Sequence, residues 1–170
     1  EEKSTAKSSA LYCPHCKKST PIASLRKDRK DDNGESVNEL RKWEKNEFLP
    51  RQDDIFQERL YCIRYECEKI VIDEKGKDKI VTVREYQAPD TFDLRREEKV
   101  VKMLKERFDE WQKNGYIPDS IIEKGDETSR LIRERGWQYW HQLFYPRQLL
   151  TNGLIMELID KHAKTINEKV

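Results

Sequence analysis

The sequence has little glycine or proline and never clusters either. Its six glycines (34, 76, 115, 125, 136 and 153) stand alone, with no GxG, and its six prolines are solitary. Loops that cradle phosphates need closely spaced glycines so that backbone can approach the anion, so neither a P-loop nor a dinucleotide fingerprint is present. HExxH and the nucleophile elbow are missing too, which removes two common hydrolase signatures. No apolar run nears the roughly 18 residues of a membrane span, and no signal-peptide pattern opens the chain. Hydrophobic residues make up 35% and charged residues 39%, so little material is available for a core. Basic and acidic residues number 34 and 33, for a net charge of +1. Such a balance creates no global field for nucleic acid, although a local patch can still bind it.

What is present begins with four cysteines. Cys13-Pro14-His15-Cys16 is a CxxC knuckle, two thiolates spaced to grip one ion from a tight turn. Lys17 and Lys18 favour the thiolate form, and His15 reads as a surface side chain. Cys62 and Cys67 are a looser second pair, expected at a second metal-binding turn. Together the four make a candidate closed site for structural Zn2+, Cys13, Cys16, Cys62 and Cys67. Two other readings stand beside it: Cys62 and Cys67 as small packing residues, or a redox set, which lacks its usual βαβ context. A cytoplasmic setting suits unpaired thiols.

The fold class expected is α+β, a small zinc-ribbon-like antiparallel portion followed by a helical portion. Residues 1–10 are polar and lack an initiator methionine; they read as a flexible lead-in to a chain excised from something longer. Residues 11–90 form the zinc-ribbon-like portion, with a charged loop and helix inserted at about 26–57. Ser36 and Glu39 fit a capping box opening a helix to about Phe48. Residues 68–73 and 79–86, rich in Ile and Val, bracket the Lys75–Asp78 turn as a β-hairpin. The helical portion is 91–164, and 165–170 is expected to fray. In it, Asp93 is expected to cap a helix to Asn114, with Val101, Leu104, Phe108 and Trp111 on one stripe. Asp126 is expected to cap a short helix that Gly136 ends. Pro146 suits the first position of a last helix, which carries Leu149, Leu150, Leu154, Ile155, Leu158 and Ile159. His141, in an aromatic run, reads as a hydrogen-bonded core residue.

Several blocks resemble large prokaryotic adenine-specific DNA methylases that carry a cysteine-bearing insert. They are Tyr-Cys-Pro-His-Cys (12–16), Arg-Gln-Asp-Asp-Ile-Phe-Gln-Glu-Arg-Leu-Tyr (51–61), Tyr-Gln-Ala-Pro (86–89), Gly-Asp-Glu-Thr (125–128), Arg-Gly-Trp (135–137), Tyr-Trp-His (139–141) and Leu-Phe-Tyr-Pro-Arg-Gln-Leu-Leu (143–150). The resemblance implies that this chain is the insert with flanking helices. S-adenosylmethionine would bind only in the parent protein, whose cofactor loop and Pro-Pro-aromatic motif have no counterpart here, so base flipping has no machinery in this chain. No catalytic residue carries over, and zinc ligation carries over to Cys13 and Cys16 more firmly than to Cys62 and Cys67.

The expectation that follows is a non-catalytic module for DNA target recognition or positioning. Its partners are DNA, through the parent methylase, and the remainder of the methyltransferase chain, with no membrane. Lys17, Lys18, Arg26, Lys27 and Arg29 are candidate phosphate contacts; Arg147 and Gln148, at a helix N-terminus, suit a phosphate or base edge. The alternative is a structural insert that packs on the methyltransferase chain or a partner without touching DNA. An exposed apolar patch on the last helix would favour packing; a basic face around Lys17, Lys18 and Arg147 would favour DNA.

Overall fold

The computed structural model describes residues 6, 7 and 9–167. It is α+β, with small antiparallel sheets preceding a helical part. Strands β1 (Ala6–Lys7), β2 (Ala10–Tyr12) and β3 (Ser19–Pro21) form one sheet in the order β1-β2-β3. A short helix α1 (Ile22–Arg26) leads to a two-residue pair, β4 (Arg29–Lys30) with β5 (Ser36–Val37). The lead-in expected over 1–10 therefore already contains paired strand at residues 6, 7 and 10; residues 1–5 and 8 lie outside the described residues.

The helix expected from Ser36 to about Phe48 does not form. Ser36 is in β5, and its Oγ accepts from Lys30 Nζ at 2.9 Å instead of capping. Glu39, the other half of the supposed capping box, pairs with Lys27 and Arg29. The segment that follows is an irregular strap laid across the helical part. Asn38 Nδ2 donates to Arg133 O at 2.6 Å, and Trp43 N–H donates to Gly136 O at 2.9 Å. Arg41 holds Asp54 and Glu47, both at 2.6 Å, so the strap is also cross-linked to itself. Bonds to distant backbone outcompeted the local propensity, which is only a weak prior.

The hairpin is longer than the sequence suggests. β6 (Ile63–Ile72) pairs with β7 (Asp78–Gln87), with Cys67 opposite Val83 and Ile70 opposite Ile80. Asp73 shapes the turn by accepting from Lys75 N–H and Lys77 N–H at 2.8 and 2.9 Å, and Gly76 sits at φ 75°. No residue of either strand is buried.

The core is in the helices. α2 (Thr91–Lys113) starts at Asp90, not Asp93: Asp90 accepts from Phe92 and Asp93 amides, and Asp93 accepts from the Asp90 amide in return. That reciprocal box satisfies amides with no intrahelical partner. Leu104, Phe108 and Trp111, four and three apart, face α4 (Pro146–Asn167) and meet Leu149 and Leu150. Burying each such side chain contributes on the order of 1.5–3 kcal/mol. Gly153 lets the two helices close, because a Cβ there would sit 2.1 Å from Trp111 Cε3. Between them, α3 (Thr128–Arg135) ends at Gly136 in the left-handed conformation, φ 76°. Asp126 does not cap it; Ser129 Oγ accepts from the Gly125 amide, and Thr128 Oγ1 donates to Glu123 O. α4 continues as helix to Asn167, past the point where fraying is expected, and residues 168–170 lie outside the described residues.

Candidate functional site

Cys13 and Cys16 lie in the connection between β2 and β3, both exposed. The turn is closed by Cys13 N–H donating to Lys18 O and Lys17 N–H donating to Cys13 O, each at 2.9 Å. Lys17 takes the left-handed conformation, φ 60°, to make this possible. The Cys16 amide points at Cys13 Sγ from 3.5 Å. That amide is the main reason the Cys13 thiol is held below its ordinary pKa, with the Cys16 thiol and the His15 amide adding to it. The backbone thus stabilises negative charge on sulfur, as a metal-gripping turn requires.

Cys62 and Cys67 are not on a second turn. Cys62 immediately precedes β6, and Cys67 is inside it. Ile63 and Cys67 are four residue steps apart along the strand, a rise of about 13 Å. Two thiolates on one tetrahedral zinc stand only about 4 Å apart, given Zn–S bonds near 2.3 Å. The strand forms because Ile63, Tyr65 and Cys67 share one face with Val81 and Val83 across the ladder, and that pairing leaves no bend for a knuckle. Among the described residues, no three His, Cys, Asp or Glu side chains come together as a metal site. Among the described residues, the four cysteines do not come together as one metal-binding group.

The cationic residues proposed for phosphate are largely engaged. Arg26 pairs with Asp28 at 2.6 Å, while Lys27 and Arg29 flank Glu39 at 2.6 and 3.4 Å. Arg147 pairs with Glu97, tying α4 to α2. Gln148 Oε1 accepts from the Tyr145 amide at 3.0 Å, closing the turn into α4. Lys17 and Lys18 alone of these cations have no carboxylate partner among the described residues. Four of the six cationic candidates are thus held in ion pairs.

The most completely buried polar node is His141, with Gln142 beside it. His141 Nε2–H donates to Glu47 O at 3.0 Å, and Nδ1 accepts from Gln112 Nε2 at 3.3 Å, a tautomer assigned from these partners. Gln142 Nε2 donates to Glu44 O at 2.7 Å, and its Oε1 accepts from the amides of Gln138 and Tyr139. Burial is the leading cause that pushes the His141 pKa down. With both nitrogens spent on the strap and α2, His141 is a clamp and has no free edge for acid–base work. The strap acceptors, Glu47 O for His141 and Glu44 O for Gln142, gave no sequence signal, because a backbone carbonyl leaves no mark on residue type.

A last feature is an apolar surface. The stripe of α4 enters the core at Leu149 and Leu150 but leaves Ile155, Leu158 and Ile159 exposed at 49%, 56% and 56%. With His162 and Ala163 they line an open apolar groove. Among the described residues, no helix is long and apolar enough to cross a membrane. Comparison with protein families, curated proteins and solved structures finds no match to this chain.

Proposed function

We propose that this chain is a non-catalytic packing module of an adenine-specific DNA methyltransferase, acting in the cytoplasm. In this reading α4 docks on the remainder of the methyltransferase chain, and DNA and S-adenosylmethionine are handled elsewhere in the parent protein. The methyltransferase assignment rests on the sequence resemblance. The choice of packing over DNA recognition rests on one observation: the α4 stripe runs out of the core as Ile155, Leu158 and Ile159, half exposed in line. A monomeric surface seldom leaves such a row uncovered unless it is an interaction site. The pairing of Arg26, Lys27, Arg29 and Arg147 with carboxylates supports the same choice, since each phosphate contact would first have to break an ion pair.

The test is duplex DNA binding by fluorescence anisotropy across a salt series. We expect affinity no better than the non-specific range of about 10⁻⁴ to 10⁻⁶ M at physiological salt. Tight binding that weakens on Arg147→Ala and on Lys17→Ala with Lys18→Ala would restore DNA recognition as the function. In the parent protein, hydrogen exchange at residues 155–162 should be slower than in the isolated chain; equal rates would remove the docking role.

A further inference from the structure

The mismatch between the four-cysteine expectation and the structure leaves a half-site to explain. Cys13 and Cys16 lie together on an exposed turn closed by two backbone hydrogen bonds. A closed structural zinc site wants four ligands, and two thiolates alone would leave two positions to water. No third His, Cys, Asp or Glu side chain joins them among the described residues. Cys62 lies just outside β6 and Cys67 inside it, engaged in ten continuous residue pairs with β7. Bringing both to the knuckle would mean unzipping the lower half of that ladder.

We propose that the Cys13–Cys16 knuckle is half of an intermolecular zinc site, completed by the same two cysteines of a second copy of this chain. A two-fold axis through the ion turns one CxxC into the four thiolates of a tetrahedral centre, with residue i of one copy meeting residue i of the other. The position suits this. The knuckle is the tip of the β2–β3 hairpin, and every residue from Leu11 to Pro21 is exposed, so two tips can meet without moving a core. Charge suits it as well. Zinc with four thiolates carries a net charge of −2, and each copy brings Lys17 and Lys18, next to Cys16 in sequence and both without a carboxylate partner among the described residues. Four ammonium groups around a dianionic centre offset the repulsion that joining two anionic half-sites would create. His15, between the cysteines, adds no negative charge at the contact.

The inference does not depend on the methyltransferase reading. Its test uses the full 170-residue chain, stripped with chelator and kept reduced, titrated with Zn2+ alone. Bound zinc is read by elemental analysis and molecular mass by light scattering. The expected result is about 0.5 zinc per chain together with conversion of monomer to dimer, reversed by chelator. Cys13→Ser should abolish both zinc uptake and dimer. Cys62→Ser and Cys67→Ser should leave both intact, and unchanged circular dichroism of each variant shows that folding is not the cause. Replacing Zn2+ with Co2+ gives a second readout, the intense visible bands of a tetrahedral thiolate site, which should saturate at the same half stoichiometry. One zinc per monomer, lost on Cys62→Ser or Cys67→Ser, would overturn the proposal in favour of a four-cysteine site within one chain. No uptake of zinc would overturn both.

Discussion

Gly153→Ala is the sharpest test of how the two long helices meet. On an exposed helix the change would stabilise by up to about 1 kcal/mol, because alanine is the better helix former. Here the new methyl would lie 2.1, 2.2 and 2.9 Å from Cε3, Cζ3 and Cδ2 of Trp111. The indole is 2% exposed and held by Leu104, Phe108 and Leu149, so it cannot swing aside without disturbing its neighbours. Relief needs the α2–α4 spacing to grow by more than 1 Å, an overpacking penalty at the upper end of the usual 1–3 kcal/mol. Subtracting the propensity gain leaves a net loss of about 2 kcal/mol. Urea unfolding followed by circular dichroism would show it as a lower midpoint at unchanged slope. Trp111→Phe should be less harmful in the Gly153→Ala background than alone, because a smaller ring makes room for the methyl; coupling of about 1 kcal/mol is the signature. A Gly153→Ala variant as stable as the parent, or more so, refutes the packing of Trp111 on Gly153.

Two further predictions concern the strap. Its His141 clamp makes stability depend on pH: the folded pKa lies below the unfolded value of about 6.5, so the unfolded chain binds the proton more readily. The stabilisation is therefore complete above that value and declines as pH falls through it toward the folded pKa. Urea midpoints at pH 7.5 and 5.5 should differ more for the native chain than for His141→Asn, and equal differences would show that His141 is not the linked group. Gly136→Ala meets two obstacles, a left-handed backbone at φ 76° and Arg41 O at 2.2 Å from the new carbon. It should cost about 1–3 kcal/mol and raise hydrogen exchange at the Trp43 amide, whose acceptor is Gly136 O. Unchanged exchange there would mean that the strap is held from elsewhere.

Much of the helical part was legible because its signals are local. Leu104, Phe108 and Trp111 repeat at helical spacing; Pro146 opens α4 and Gly136 closes α3. The β6–β7 hairpin was legible from its Ile and Val content and the Lys75–Asp78 turn, though its lower half was not. Residues 62–67 looked like a knuckle because cysteine spacing was read without the ladder; pairing of Tyr65 with Glu85 and Cys67 with Val83 lies about twenty residues away in sequence. The helical signal of the strap fails for a similar reason. Asn38, Trp43 and Glu47 bond to Arg133, Gly136 and His141, partners that no window of sequence around Ser36 contains. The pairing of Arg147 with Glu97 and of Arg26 with Asp28 is equally a product of the fold.

The distribution of buried side chains leaves the outer parts with little apolar contact to hold them. Among the described residues, every buried hydrophobic one is Trp43 or lies between Leu104 and Leu150. Among the described residues, the segments 9–37 and 63–87 bury none, and a two-stranded ribbon without a covered face is marginal in water. Heat or urea should therefore loosen these parts before the helices, since local stability follows buried apolar contact. Anything that binds only their folded form raises their stability in proportion to its occupancy. The metal bridge proposed at Cys13 and Cys16 would act on the first sheet in this way. It would fix the β2–β3 turn from outside, where none of the described residues is buried. Cover over the α4 stripe would act on the helical part instead, extending a core that currently ends at Leu154. The two attachments are thus separable: removing metal should soften residues 10–21 and leave residues 91–160 as they were, whereas uncovering α4 should do the reverse.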